Sequence, residues 1–103
     1  MQLMWTLSDD SDEFCKHITT TGLHIDMLEN LRHEALSVDS LNNSQSNRRR
    51  LFVESHVNIL HNVVRRVKSV RANMRQRGAI DVLNKFGDVT EHPVIHCLLI
   101  YLF

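Results

Sequence analysis

The sequence predicts an all-α fold built from repeated helices, and three observations lead there. Three Gly and one Pro among 103 residues are too few to punctuate the many short strands of a sandwich or barrel. Apolar residues recur at three- and four-residue spacing, the period of a helix with one buried face. The chain also resembles itself: Gly22-Leu23-His24-Ile25-Asp26-Met27-Leu28 returns as Gly78-Ala79-Ile80-Asp81-Val82-Leu83, 55 to 56 residues later. Removing a Ser/Asn-rich insertion of about 13 residues leaves a period near 42, within the range of armadillo and HEAT repeats. The expected architecture is an armadillo/HEAT-like helical-repeat solenoid, of which about two repeats are present.

The elements follow in order. Met1 to Leu7 is apolar and ends one repeat, over residues 1–8. Phe14 and Ile18 lie on one face of the next helix, which Gly22 ends by taking the left-handed conformation. A helix from Leu23 to Leu36 follows. The stretch from Ser37 to Asn47 is rich in Ser and Asn and reads as a loop, part of an insertion at about 37–50. From Phe52 to Val67 the residues Val53, Val57, Leu60, Val64 and Val67 form a buried stripe widened by Ile59 and Val63, and they complete a full repeat over 9–67. Ser69 to Gln76 is a short helix with Val70 and Met74 inward, closed by Gly78. Ala79 to Phe86 is another, and the last begins after His92-Pro93, with Pro in its first turn. These belong to an incomplete repeat over 68–103. The apolar runs at both ends read as pieces of a longer protein, expected to self-associate unless neighbouring repeats cover them.

The formal charge is zero but unevenly spread: residues 1–46 sum to −6, 47–77 to +8 and 78–103 to −2. The basic block of Arg48, Arg49, Arg50, Arg65, Arg66, Lys68, Arg71, Arg75 and Arg77 offers one reading, a nucleic-acid or phosphate surface, although no aromatics interleave for base stacking. The bland alternative is a solvated helix face. Cys15 and Cys97 are isolated, as in a reduced intracellular protein, and cytoplasmic or nuclear localisation is expected. No basic leader precedes the apolar start. The run from Val94 to Phe103 is about half a bilayer span. His92 and His96 share a helical face beside Cys97, but no third and fourth zinc ligands lie nearby, and His96 reads as a core histidine. No phosphate loop or nucleophile motif is present, so neither enzymatic activity nor a cofactor is expected.

Binding of a protein or peptide ligand has more support, because stacked repeats form a groove walled by the last helix of each. Trp5 and Thr6 precede Leu7-Ser8-Asp9 just as His61 and Asn62 precede Val63-Val64-Arg65. An indole supplies a flat apolar wall, and an Asn amide both donates to and accepts from a peptide backbone. Each also has an ordinary reading, Trp5 as core and Asn62 as a locally bonded helix residue.

The stretch Trp5-Thr6-Leu7-Ser8-Asp9-Asp10-Ser11, with Cys15 and His17 beyond it, resembles a WNLTDES-x-x-x-C-x-H motif in the armadillo-like repeats of the Zyg-eleven/Zer-one family. Leu60-His61-Asn62-Val63-Val64 resembles the LxNIA segment of that family's next repeat, and Val94 to Leu102 is similar to the helix that follows. The resemblance covers nearly the whole chain outside the insertion. It implies the substrate-recognition part of a cullin-RING ubiquitin ligase adaptor in the ubiquitin-like conjugation pathway, binding substrates with an exposed N-terminal glycine. Trp5, Asp9 and Asn62 would form the pocket, with the Asp9 carboxylate on the terminal ammonium. Two positions depart from the pattern: Thr6 stands where the family has Asn, and Arg65 where it has an acid. Both favour the alternative of a generic armadillo-type scaffold without degron binding. The leucine-rich and cullin-binding regions of the family have no counterpart here.

Overall fold

The computed structural model describes the backbone of residues 2–36, 43–86 and 93–102, and the side chains of 4–35, 50–86 and 94–102. Among the described residues there are seven helices and no strand: α1 (Gln2–Asp10), α2 (Asp12–Thr21), α3 (Leu23–Leu36), α4 (Asn43–Arg66), α5 (Val70–Gln76), α6 (Ala79–Asn84) and α7 (Pro93–Leu102). The expected all-α class is the class observed.

Local chemistry sets the breaks. Ser11, extended at φ −132°, separates α1 from α2, and its hydroxyl accepts from the Phe14 N–H at 3.1 Å. Asp12 and Glu13 then sit in the first turn of α2, where the helix dipole favours acids. Gly22 and Gly78 both take positive φ, 78° and 81°, at the α2–α3 and α5–α6 junctions. The Gly22 N–H closes the end of α2 on the Ile18 and Thr19 carbonyls.

The predicted loop needs correction. Its described part, from Asn43 onward, is helical and belongs to α4, while residues 37–42 lie outside the described residues. No Gly or Pro interrupts residues 43–50. Ser and Asn lose only about half a kcal/mol each against Ala in a helix, and Arg is a good helix former. A helix nucleated by the buried half of α4 therefore propagates back through them.

α4 is the axis of the fold: its 24 residues span about 36 Å at 1.5 Å per residue, close to the longest dimension of 39 Å. It packs against α1, α2, α3 and, most extensively, α7, while α3 packs on α6 and α5 on α6 and α7. Val53, Val57, Ile59, Leu60, Val63 and Val64 of α4 meet Cys15 and Ile18 of α2, Met27, Leu28 and Leu31 of α3, and Ile95, Leu98 and Leu102 of α7 in one apolar core, with Met74, Ala79, Val82 and Leu83 from α5 and α6. No described helix is both long and apolar enough to cross a membrane.

Candidate functional site

Between Val53 and Arg65, α4 is buried nearly all round. Only Glu54, Ser55, Asn58, His61 and Arg65 keep partial exposure, and they form one stripe at three- and four-residue spacing. Leu51, 64% exposed, lies on the same stripe. α1 and α7 flank it.

The α1 side is polar. The Ser8 hydroxyl, fully buried, donates to the Trp5 carbonyl at 2.8 Å and accepts from Asn62 Nδ2 at 3.1 Å. Arg65 Nη2 donates both to Asn62 Oδ1 at 3.2 Å and to Asp9 Oδ1 at 3.3 Å. Arg66 donates to Asp12 and to the Asp9 carbonyl. Asp9 and Asp10 end α1, where the helix dipole disfavours acids, and the two arginines supply the opposing charge. Cys15 Sγ donates to the Ser8 carbonyl at 3.2 Å and so ties α2 to the same junction. Burial pushes the Cys15 thiol above its ordinary range, with Arg66 pulling weakly the other way.

The α7 side is aromatic. The His61 ring lies 5.5 Å from the Tyr101 ring, and the Arg71 guanidinium sits 4.9 Å from the centre of that ring. Arg71 also donates to the Val64 carbonyl at 2.7 Å and the Arg65 carbonyl at 3.2 Å, which closes the end of α4. Burial first, and then the Arg65 charge, hold the His61 pKa below its usual value.

Trp5, Asp9 and Asn62 therefore meet at one junction. Trp5 is half-buried against the core and Asp9 is exposed and ion-paired. Asn62 is only 5% exposed, with both ends of its amide bonded inside the molecule. It joins helix to helix and presents no free amide to a ligand.

Several cations of the basic block bond within the molecule, although Arg75 and Arg77 remain exposed. Arg65, Arg66 and Arg71 are engaged as above, Arg75 donates to the Leu102 carbonyl at 3.2 Å, and Arg77 Nε donates to Asn73 Oδ1 at 3.1 Å. Arg50 and Lys68 are exposed, and the side chains of Arg48 and Arg49 lie outside the described residues. Arg50 is separated from Arg65 by about 22 Å of helix.

His96, expected in the core, is exposed on α7 because the buried positions there are Ile95, Leu98 and Leu102. His92 lies outside the described residues. Among the described residues no three His, Cys, Asp or Glu side chains gather as metal ligands would.

The partners Ser8 and Arg65 escape a reading of single residues. A signal was present in the opposite charges of Asp9 and Arg65, which occupy matching places 56 residues apart. Comparison with family models, with curated proteins and with solved structures finds no match to this chain.

Proposed function

We propose that this chain is part of an armadillo-like solenoid that binds an extended protein or peptide segment across α1, α4 and α7. The observation that carries the reading is a register of burial. Ile95, Leu98 and Leu102 of α7 are buried as Val53, His56 and Leu60 of α4 are, 42 residues earlier, and His96, Cys97 and Ile100 are exposed where Glu54, Ser55 and Asn58 are partly so. α1 relates to α4 by the shift of 56 residues that separates Asp9 from Arg65, which matches Trp5 with His61 and buried Ser8 with buried Val64. A 42-residue shift is the period of armadillo repeats, and the longer one contains the insertion.

On this reading the groove floor is the half-exposed stripe of α4, bordered by Trp5 and Asp9 on one side and by Ile100 and Tyr101 on the other. Trp5 and Tyr101 offer flat apolar contact, and Glu54, Asn58 and His61 offer polar contact. A narrower reading, recognition of a free N-terminal glycine, requires the terminal ammonium to displace Arg65 from Asp9. The ubiquitin ligase adaptor role implied by the resemblance stands or falls with that step.

The test is selection on an array of short unstructured peptides, followed by titration of Trp5 emission with those retained, each with a free and an acetylated N-terminus. Equal binding of both forms supports the general groove. Binding of the free form alone, with Gly first, supports the narrower one. A packed Trp5 that no peptide perturbs overturns the proposal.

A further inference from the structure

We infer that His24 is an acid-sensitive latch at the corner where the Gly22 turn meets the Gly78 turn: protonation of its ring opens that corner locally while the core around α4 stays closed.

The ring is held in a way that suits only its neutral form. His24, the second residue of α3, is 4% exposed. It makes a hydrogen bond to the Ile18 carbonyl at the end of α2, and Nδ1 is buried with no partner. In the neutral ring that donates through Nε2, Nδ1 leaves a lone pair unmet. Protonation adds an N–H there that has no acceptor, and a charge that burial has removed from water.

The charged groups at the corner do not offset this. Arg77, from the end of α5, opposes a second cation, and Asp26, exposed on the same helix as His24, favours one. Arg32 stands at the same corner, donating to the Arg77 carbonyl and lying 3.6 Å from the place of a Cβ on Gly78, with Glu29 as its own counterion. Of the other helices packed on α3, α2 offers the ring a carbonyl, α6 buries Ala79, Val82 and Leu83, and His56, the buried titratable residue of α4, stacks on Phe52. Burial first, with Arg77 adding to it against Ile18 and Asp26, holds the ring below the usual histidine range.

The corner has little else to keep it shut. Its backbone bonds are those of a turn, from the Gly22 N–H to the Ile18 and Thr19 carbonyls and from the Ile25 and Asp26 N–H groups to the Gly22 carbonyl. The bond across it, from Arg32 to Arg77, is exposed. The released ring titrates at about 6.5 and the latched ring lower, so the corner is fully latched above about pH 6.5. Its open fraction rises by up to about tenfold per pH unit as pH falls from there toward the latched value.

Amide hydrogen exchange of the full chain, read by nuclear magnetic resonance and corrected for the intrinsic rate at each pH, tests this. From about pH 7 to about pH 5, protection of the Gly22, Ile25 and Asp26 amides should fall about tenfold, and that of Val57, Leu60 and Val63 far less. His24→Gln keeps a donor for Ile18 and has no charge to gain. His24→Ile gives the Gly22 turn the residue that the Gly78 turn carries as Ile80. Both should hold the corner closed in acid. Arg77→Gln should move the His24 ring titration to higher pH, which a purely structural histidine would not show. A ring that titrates at about 6.5 in the folded wild type, protection that is unchanged or lost evenly over corner and core, or a response that survives His24→Gln overturns the inference. All but the last are read on the unaltered protein, so the outcome does not depend on a variant folding.

Discussion

Asn62→Ala tests whether the α1–α4 junction is structural. The wild-type amide donates to Ser8 where both groups are buried, a hydrogen bond whose loss costs about 1 kcal/mol. Its second bond, from Arg65, is charge-assisted, but the Arg65 side chain is 37% exposed, so solvent screening leaves it a few tenths of a kcal/mol. The void left by the amide raises the sum to about 2 kcal/mol. In a domain of this size that lowers the melting temperature by roughly 8 to 16 °C. Urea and thermal unfolding followed by circular dichroism read the loss, and Trp5 emission should shift toward that of water first, because the junction holds α1. A double-mutant cycle with Ser8→Ala should return a coupling of about 1 kcal/mol. A change within about 0.5 kcal/mol, the range of an ordinary surface substitution, would refute the reasoning and return Asn62 to the surface as a candidate ligand contact.

Gly22→Ala and Gly78→Ala should each destabilise by about 1 kcal/mol, because an L side chain is strained at these positive φ values. They should match closely, since the nearest atom to a new Cβ at Gly78 is Arg32 Nη1 at an ordinary 3.6 Å and nothing lies near Gly22; denaturant midpoints decide. Stability should fall as pH drops below about 6.5, the unfolded value for histidine. Burial depresses His24, His56 and His61, so the unfolded chain binds more protons in that window and the stabilisation, complete above it, is lost toward the lower folded values. Melting curves across pH 7.5 to 5 (about that range) check it, and no decline would refute it. A thiol reagent should modify Cys97 at once and Cys15 only on unfolding, because Cys15 is fully buried with a raised pKa; fast labelling of both, resolved by peptide mass, contradicts this.

Most helix boundaries were legible because single residues with fixed backbone preferences mark them. Gly22 and Gly78 take the positive φ their positions predicted, and Pro93 opens α7. The start of α4 was not legible, since Ser and Asn are common in loops and only weakly unfavourable in a helix, so tertiary nucleation decides. The misplaced His96 has a similar cause: an apolar run ten residues long cannot show which positions face inward until its neighbours are known. Asp9 and Asn62 are joined at the α1–α4 junction through Arg65, and the Trp5 carbonyl accepts from Ser8 at the same junction. What they do there depends on Ser8 and Arg65, whose bonds between α1 and α4 span 54 and 56 residues and have no local signature.

The two flanks of α4 are held by different forces, which bears on how the proposed groove would work. α7 brings Ile95, Leu98 and Leu102 into the core, an attachment that is mainly apolar and is not screened by salt as ion pairs are. α1 brings Met4 and Trp5 only partly into it and depends on Ser8 with Asn62, Asp9 with Arg65, and the Asp9 carbonyl with Arg66. Polar junctions of this kind are specific in geometry but modest in net energy, and their exposed ion pairs weaken with salt. α1 is thus the wall with the lower barrier to local release, and Trp5 is the residue it would move. A ligand that packs on Trp5 therefore adds apolar contact to the weaker flank, and binding and ordering of α1 become coupled.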